Sequence, residues 1–173
     1  MIELENYNMY RNWLYRSQKN LPNVQLISEK NLIHELEKKL IILADDNQLI
    51  NICSKKIISD ILRENEISDF EIICVNDGID ILKLYFNNEE TERIKLIITD
   101  ENMDYLNGSE AIKIIRNIEK LKLKKKINII SLSCNEEKST VEIILKAGAD
   151  FILIKPLSKQ SIKALLDKMN LFL

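Results

Sequence analysis

Residues 40–46 read LIILADD, a run of five apolar residues followed by two aspartates. A short strand without a polar position is typical of a parallel sheet whose two faces are both covered by helices. The residues that follow, 47–64, place apolar side chains three and four positions apart, which predicts an amphipathic helix. This part of the chain therefore predicts one β-α unit of an α/β protein.

The same alternation of apolar run and amphipathic segment recurs along the chain. Four further runs are predicted to be strands: Phe70–Val75, Leu96–Thr99, Ile127–Leu132 and Phe151–Ile154. Helices are predicted after them over residues 79–86, 109–122 and 136–147, the last closed by Gly148, and from Ser158 onward. Because right-handed crossovers join parallel strands, these units predict a doubly wound α/β sandwich with strands buried on both faces.

Glycine and proline are scarce, with three glycines and two prolines in 173 residues. Gly78, Gly108 and Gly148 are 30 and 40 residues apart, which excludes a Walker-A loop and a G-x-G-x-x-G turn. Any phosphate must then be bound by side chains or by a metal ion. The formal net charge of -2 argues against a broad nucleic-acid-binding surface, so no direct nucleic-acid partner is predicted.

The composition favours a cytoplasmic location. No apolar stretch approaches the roughly 18–20 residues of a membrane span, and the N-terminal residues are too polar for a signal peptide. Cys53, Cys74 and Cys134 are an odd number without a C-x-x-C pair, and they lie in apolar runs. They are therefore predicted to be reduced, buried thiols.

The first 38 residues differ from the rest and hold the only tryptophan and the only histidine. Residues 27–39 have apolar side chains at helical spacing. We therefore predict an N-terminal extension with a helical linker over residues 1–38 and an α/β domain over residues 39–173.

Polar side chains directly follow four of the predicted strands: Asp45 and Asp46, then Asp100, Ser133 and Lys155. In an open α/β sheet, ligands bind beyond the carboxyl ends of the strands. If the first and third strands are neighbours, three carboxylates converge there and repel one another unless a cation shares the site. Oxygen ligands favour a hard ion, above all Mg²⁺, and one carboxylate can act as a nucleophile toward phosphorus.

Four segments resemble those of a known family: LIILADDNQ (40–48), LIITDENMDYLNG (96–108), NIISLSCNE (128–136) and KAGADFILIKPLS (146–158). In these segments and their order, the chain from about residue 38 to 172 resembles the receiver domains of two-component response regulators and hybrid histidine kinases. The resemblance implies a flavodoxin-like, five-stranded parallel sheet of order 2-1-3-4-5 with helices on both faces. It also implies a part in phosphorelay signal transduction.

The resemblance assigns a role to each matching residue. It implies that Asp100 accepts a phosphoryl group. It implies that Mg²⁺ is bound by Asp46, by Asp100 and by the backbone carbonyl of Asn102, while Asp45 holds a metal-bound water.

Further roles follow from the last two motifs. Ser133 would donate a hydrogen bond to a phosphoryl oxygen, and Lys155 would form an ion pair with the phosphoryl group. The peptide bond between Lys155 and Pro156 would be cis, a form that only proline makes tolerable. Asn102 and Asn135 would flank the path of the water that hydrolyses the phosphorylated aspartate.

Two positions depart from the family pattern. The family often has Met-Pro after the phosphorylated aspartate, where this chain has Met103 and Asp104. The aromatic switch residue lies three positions before the lysine in the family, and that position is Ile152 here. We therefore expect an altered loop beside the site and an altered or missing aromatic readout.

The resemblance implies a signalling domain and not an enzyme in the usual sense. Its partner would be a histidine kinase or a histidine phosphotransfer protein, and a phosphorylation-dependent dimer is one form that its response could take. The chain would be a stand-alone receiver or the terminal receiver of a hybrid kinase. Two alternatives stay open: a phosphatase with an aspartate nucleophile, like the haloacid-dehalogenase group, and an interaction module on a receiver scaffold that is not phosphorylated.

Overall fold

The computed structural model describes residues 38–87, 91–121, 123–134 and 137–169. The predicted N-terminal extension lies outside the described residues, apart from residue 38, and the same holds for Asn135. Five strands and five helices alternate along the described part of the chain: β1 (Lys39–Ala44), α1 (Gln48–Glu64), β2 (Phe70–Val75), α2 (Gly78–Phe86), β3 (Ile94–Asp100), α3 (Gly108–Lys120), β4 (Asn128–Ser133), α4 (Lys138–Ala147), β5 (Phe151–Ile154) and α5 (Lys159–Lys168).

The strands form one parallel sheet of order β2-β1-β3-β4-β5. This confirms the predicted α/β fold and the strand order 2-1-3-4-5. Strands β1 and β3 are neighbours, with Leu43 opposite Ile98 and Ala44 opposite Thr99. Because both strands run in the same direction, the residues that follow them meet at one edge of the sheet.

Helices cover both faces of the sheet, as the doubly wound architecture requires. One apolar cluster joins the sheet to α1 and α5 through residues such as Ile58 and Leu166. A second cluster on the opposite face includes Ile81 of α2 and Ile112 of α3. The amphipathic spacing in the sequence thus corresponds to helix faces that are buried against a sheet.

The prediction that every strand is buried on both faces holds for β1 but is wrong for β2 and β5. Strand β1 is buried from Leu40 to Ala44, whereas the residues of β5 are only partly buried and Ile154 is 37% exposed. Strands β2 and β5 lie at the two edges of the sheet, where each has a neighbour on one side only.

Element ends differ from the sequence predictions by one or two residues. Strand β3 begins at Ile94, and β4 runs from Asn128 to Ser133, where Ser133 lies opposite Ile154 of β5. A polar residue can therefore be part of a strand when the neighbouring strand offers hydrogen-bond partners. Gly148 ends α4 with a φ of 104°, the left-handed conformation expected of a C-terminal glycine.

All three cysteines are exposed, so the prediction that they are buried is wrong. Cys53 lies on the outer face of α1, Cys74 on the edge strand β2, and Cys134 just after β4. An apolar run in the sequence does not show which of its side chains faces solvent.

In the part of the chain that the structure describes, no helix combines the length and the apolar character needed to cross a membrane.

Candidate functional site

Three carboxylates converge at the carboxyl ends of β1 and β3. Asp45 and Asp46 follow β1, and Asp100 is the last residue of β3. One carboxylate oxygen of each residue lies within 4.8 Å of an oxygen of the other two. Asp45 and Asp100 are buried while Asp46 is exposed, so the cluster opens to solvent on the side of Asp46.

Lys155 faces this cluster from the other side of the sheet edge. Its Nζ atom lies 2.6 Å from Oδ2 of Asp45 and 2.9 Å from Oδ1 of Asp100. The side chains of all three residues are at most 10% exposed. The arrangement is a nearly buried ammonium shared by two carboxylates, in which the ion pairs are screened little by solvent.

The pKa values of Asp100 and Lys155 are both raised, which disfavours the charged form of the aspartate and favours the charged form of the lysine. Burial raises the pKa of Asp100; Lys155 opposes that rise and the nearby Asp45 adds to it. Burial alone would lower the pKa of Lys155, but its hydrogen bonds to Asp45 and Asp100 outweigh burial and raise it. Lys155 is thus held as an ammonium, whereas Asp100 retains an energetic cost of ionisation that a further cation would relieve.

Asn51 of α1 fixes the backbone beneath Asp45. Its Nδ2 atom donates to the carbonyl of Asp45 at 2.8 Å and to the carbonyl of Val75 at 2.9 Å. The backbone N–H of Asn47 donates to Oδ1 of Asp45 at 2.9 Å, which orients the carboxylate itself. These contacts join the ends of β1 and β2 to the start of α1.

The loop between β3 and α3 passes directly beside Asp100. The N–H of Gly108 donates to the carbonyl of Glu101 at 3.0 Å, and a Cβ atom at Gly108 would meet the carbonyl oxygen of Asp100 at 2.2 Å. Only glycine therefore allows α3 to begin this close to the end of β3. Asn102, on this loop, is exposed, and Met103 is buried in the apolar core.

Glu101 is a buried acidic group that the sequence analysis missed. Its carboxylate accepts hydrogen bonds from the hydroxyl of Ser109 at 2.7 Å and from the N–H of Ser109 at 3.0 Å. Burial raises the pKa of Glu101, the bonds from Ser109 oppose this, and Asp100 and Glu110 add to it. The sequence shows only that a glutamate follows the end of a buried strand. That Ser109 is its hydrogen-bond partner depends on the conformation of the loop.

Asp77 is a second acidic residue near the site that the sequence pattern does not mark, since Asn76-Asp77-Gly78 has the composition of an ordinary turn. Its carboxylate accepts from the N–H of Ile79 and also from N–H groups of the loop between β3 and α3. Asp77 thus belongs to the surroundings of the site.

Ser133 and Lys155 stand next to each other at the ends of β4 and β5. Ser133 is 1% exposed, and its carbonyl accepts a hydrogen bond from the N–H of Lys155 at 2.8 Å. The peptide bond between Lys155 and Pro156 is cis. The structure therefore places Ser133 at the same sheet edge as the carboxylates.

Ile152 lies on β5 opposite Ser131 of β4. It is partly buried, whereas Phe151 points to the other face and packs against the core cluster of α1 and α5. Nζ of Lys168 lies 5.0 Å from the centre of the Phe151 ring. An aromatic side chain is thus present on β5, but not on the face of Ile152.

The donor set fits a hard divalent cation. Asp45, Asp46 and Asp100 provide oxygen atoms alone, and Lys155 supplies one positive charge against three carboxylates. Carboxylate oxygens in a site open to water are typical of Mg²⁺. Such an ion would offset the negative charge that remains and relieve the cost of ionising the buried Asp100.

Comparison with known proteins identifies sequence relatives. The family model of the response regulator receiver domain matches residues 41–167. The chain is 29% identical over 119 residues to the CAI-1 autoinducer sensor kinase/phosphatase CqsS of Vibrio cholerae, covering 69% of this chain and 16% of CqsS. It is 27% identical over 140 residues to the peroxide stress-activated histidine kinase mak2 of Schizosaccharomyces pombe, covering 80% of this chain and 6% of mak2.

A shorter relative is a chemotaxis protein CheY homolog of Campylobacter jejuni, which is 30% identical over 97 residues, 56% of this chain and 70% of that protein. The chain thus spans a small part of the two kinases and most of the CheY homolog.

Solved structures share the fold. The receiver domain of sensor histidine kinase PA1611 from Pseudomonas aeruginosa, solved with a magnesium ion in its active site cleft, aligns with a TM-score of 0.58 and 24% identity over 76% of this chain and 97% of that domain. Chemotaxis protein CheY4 of Vibrio cholerae aligns with a TM-score of 0.60 and 20% identity over 76% of this chain and 98% of CheY4. At these identities the likeness shows a shared fold.

Proposed function

The chain belongs to the response regulator receiver domain family of two-component phosphorelay signalling, and from that membership we propose that it accepts a phosphoryl group on Asp100. The observation that carries the proposal is the position of Asp100, whose carboxylate lies 2.9 Å from the ammonium of Lys155 and beside the carboxylates of Asp45 and Asp46. A nucleophilic oxygen, a fixed cation and a divalent ion site are the parts that phosphoryl transfer needs.

In this proposal Mg²⁺ is held by Asp46, Asp100 and the backbone carbonyl of Asn102, with Asp45 acting through a bound water. The ion, when bound, supplies positive charge that offsets the charge of the phosphoryl oxygens. The exposure of Asp46 and Asn102 supports this assignment, because the phosphoryl donor must reach the site from solvent.

Asp100, Lys155 and Ser133 each have a separate role in the phosphoryl transfer. An oxygen of Asp100 forms a bond to phosphorus as the bond between phosphorus and the donor's imidazole nitrogen breaks, and that nitrogen keeps the electron pair. Lys155, already held next to Asp100, pairs with a phosphoryl oxygen, and the Ser133 hydroxyl donates a hydrogen bond to another. For the reverse loss of phosphate, we assign to Asn102 and Asn135 the flanks of the path by which water attacks phosphorus.

The donor is a phosphohistidine on a histidine kinase or a histidine phosphotransfer protein, and the chain acts in the cytoplasm as a signalling domain without turnover of a substrate. One chain in a solved complex of the Saccharomyces cerevisiae phosphotransfer protein Ypd1 with the receiver domain of Ssk1 shares this fold, with a TM-score of 0.59 and 21% identity over 78% of this chain and 88% of that chain. Phosphorylation shifts an equilibrium between two conformations, and a phosphorylation-dependent dimer is one readout of that shift. The domain acts as a separate protein or as a receiver within a hybrid kinase.

The test is incubation of the protein with Mg²⁺ and acetyl phosphate, followed by intact-mass measurement. Wild-type protein is expected to gain the mass of one phosphoryl group, and Asp100→Asn is expected to gain none. Asp104→Asn serves as the matched control, since Asp104 is an exposed carboxylate on the same loop. A mass gain that survives Asp100→Asn, or repeated turnover of a phosphomonoester, would contradict the proposal.

A further inference from the structure

Asp77 joins the start of α2 to the loop between β3 and α3. Its Oδ1 atom accepts a hydrogen bond from the N–H of Ile79 at 2.8 Å, which caps α2. Its Oδ2 atom accepts from the N–H of Tyr105 at 2.9 Å and from the N–H of Leu106 at 3.3 Å. Asp77 is 6% exposed, so these bonds form away from competing water.

Gly78 brings the same two segments into direct backbone contact. Its N–H donates to the carbonyl of Leu106 at 3.2 Å, and a Cβ atom at this position would lie 2.4 Å from that carbonyl oxygen. Asp77 and Gly78 together therefore bind N–H groups and a carbonyl group of the loop at residues 105 and 106.

The loop that they hold is the one that carries Asn102. It lacks the proline that often follows methionine in the family and has the exposed Asp104 there, while the side chain of Tyr105 is 82% exposed. Side-chain burial at these two positions thus adds little to fixing the loop. The amide oxygen of Asn107 contacts the N–H of Met103 at a long 3.4 Å, and Oε2 of Glu110, on α3, accepts from the N–H of Asn107 at 3.0 Å. Asp77 is a charged acceptor that reaches the middle of the loop from a different part of the fold.

The charge state of Asp77 suits such a contact. Burial opposes ionisation, but the hydrogen bonds from the backbone of Ile79, Tyr105 and Leu106 outweigh it and lower the pKa of Asp77. The carboxylate is ionised at neutral pH, and hydrogen bonds to a charged acceptor are the stronger kind.

We propose that Asp77 is a positioning residue of the metal site, which fixes the β3–α3 loop so that the backbone carbonyl of Asn102 is preorganised to bind Mg²⁺. The inference rests on the proposed function, because it assigns to Asp77 the support of a ligand in that site. Partners that orient metal ligands commonly change metal affinity by about 10–100-fold when they are removed.

The test compares Mg²⁺ affinity and amide exchange in Asp77→Ser and wild-type protein. Serine is a good N-terminal cap, so the variant keeps the cap of α2 and loses the bonds to Tyr105 and Leu106. Calorimetric titration with MgCl₂ is expected to show a Kd raised about tenfold. Hydrogen–deuterium exchange is expected to be faster at the amides of Tyr105 and Leu106, a local readout that needs no bound metal.

Asp80→Asn is the matched control, because Asp80 lies on the same helix and pairs at the surface with Lys83. Its Kd for Mg²⁺ is expected to stay within about twofold of the wild-type value, since an exposed pair contributes little. If Asp77→Ser does not fold, Asp77→Asn replaces it, and its single acceptor oxygen is expected to give a smaller rise in Kd.

A folded Asp77 variant with wild-type Kd, or with unchanged exchange at Tyr105 and Leu106, would overturn the inference and leave the proposed function intact. Failure of the wild-type protein to bind Mg²⁺ would overturn the proposed function and the inference together.

Discussion

The Nζ atom of Lys155 lies 2.9 Å from Oδ1 of Asp100, although β4 separates β5 from β3 in the sheet. The same atom lies 2.6 Å from Asp45, so one positive charge is divided between two carboxylates from two other strands. With Asp46 beside them, the edge of the sheet keeps a surplus of negative charge. Lys155 therefore stabilises the carboxylates only in part, and a divalent cation can compete for the same oxygens.

Lys155→Gln is expected to destabilise the metal-free protein. Removal of one partner of a buried ion pair leaves uncompensated charge and costs about 3 kcal/mol of the free energy of unfolding. Because the ammonium no longer competes for Asp45 and Asp100, Mg²⁺ is expected to stabilise the variant more than it stabilises the wild-type protein. Urea unfolding with and without Mg²⁺ measures both effects. An equal gain from Mg²⁺ in the two proteins would contradict the competition.

Asp100→Asn is expected to raise the thermal unfolding midpoint of the metal-free protein by a few degrees at neutral pH. Burial raises the pKa of Asp100, so between the ordinary value near 3.9 and the raised value the folded state binds more protons than the unfolded state. The free energy of unfolding of the wild-type protein then falls as pH rises through this window. Asparagine does not titrate, so the free energy of unfolding of Asp100→Asn lacks this decrease with pH.

The check is thermal unfolding of both proteins in chelator from about pH 4 to pH 7. The difference between them is expected to shrink toward the acid end of the series. A difference that stays constant with pH would show that Asp100 does not cause it.

The fold was predictable because its signals are local. Each buried strand is an apolar run, each helix has apolar side chains at helical spacing, and the polar residues after Ala44 and Thr99 stand where ligands bind in parallel sheets. The start of β3 at Ile94 and the end of β4 at Ser133 differ from the prediction because pairing with a neighbouring strand, and not hydropathy alone, sets them.

The acidic residues around the site were missed for a related reason. The roles of Asp77 and Glu101 depend on which backbone N–H groups a loop presents to them, and those groups lie up to 29 positions away in the sequence. The exposure of Cys53 and Cys74 depends on how a helix is rotated and which strand is at the edge. Tertiary structure decides such features, and a pattern of residue types in one segment does not contain them.

Arg116→Met is expected to lower the free energy of unfolding without changing the affinity of the site for Mg²⁺. The guanidinium of Arg116 pairs with Glu119 and with Asp150, both at 2.6 Å, and its own side chain is 9% exposed. It also donates to the carbonyl of Ile127, just before β4, at the end of the sheet opposite the carboxylates. Loss of the arginine removes the ion pair of the buried Glu119 carboxylate and leaves Asp150 with its pair to Lys126, at a cost of about 3–5 kcal/mol.

Urea unfolding measures this loss, and calorimetry is expected to give a Mg²⁺ affinity within about twofold of wild type for the folded variant. Arg63→Met is the control, because Arg63 forms an exposed pair with Asp60 and its loss is expected to leave the urea midpoint nearly unchanged. A large change in metal affinity in Arg116→Met would contradict the separation of the two ends of the sheet.

Ser131 and Ser133 offer a matched pair, because they are two residues apart on β4, point to the same face and are both buried. The hydroxyl of Ser131 has no hydrogen-bond partner among the described residues. Ser131→Ala is therefore expected to leave the free energy of unfolding unchanged or to raise it by about 1 kcal/mol, with an unchanged rate of phosphorylation by acetyl phosphate.

Ser133→Ala is expected to slow phosphorylation by acetyl phosphate about tenfold, because a hydrogen bond to a charged phosphoryl oxygen is lost. Time-resolved intact-mass measurement of both variants checks the difference, and equal phosphorylation rates would refute the role of Ser133.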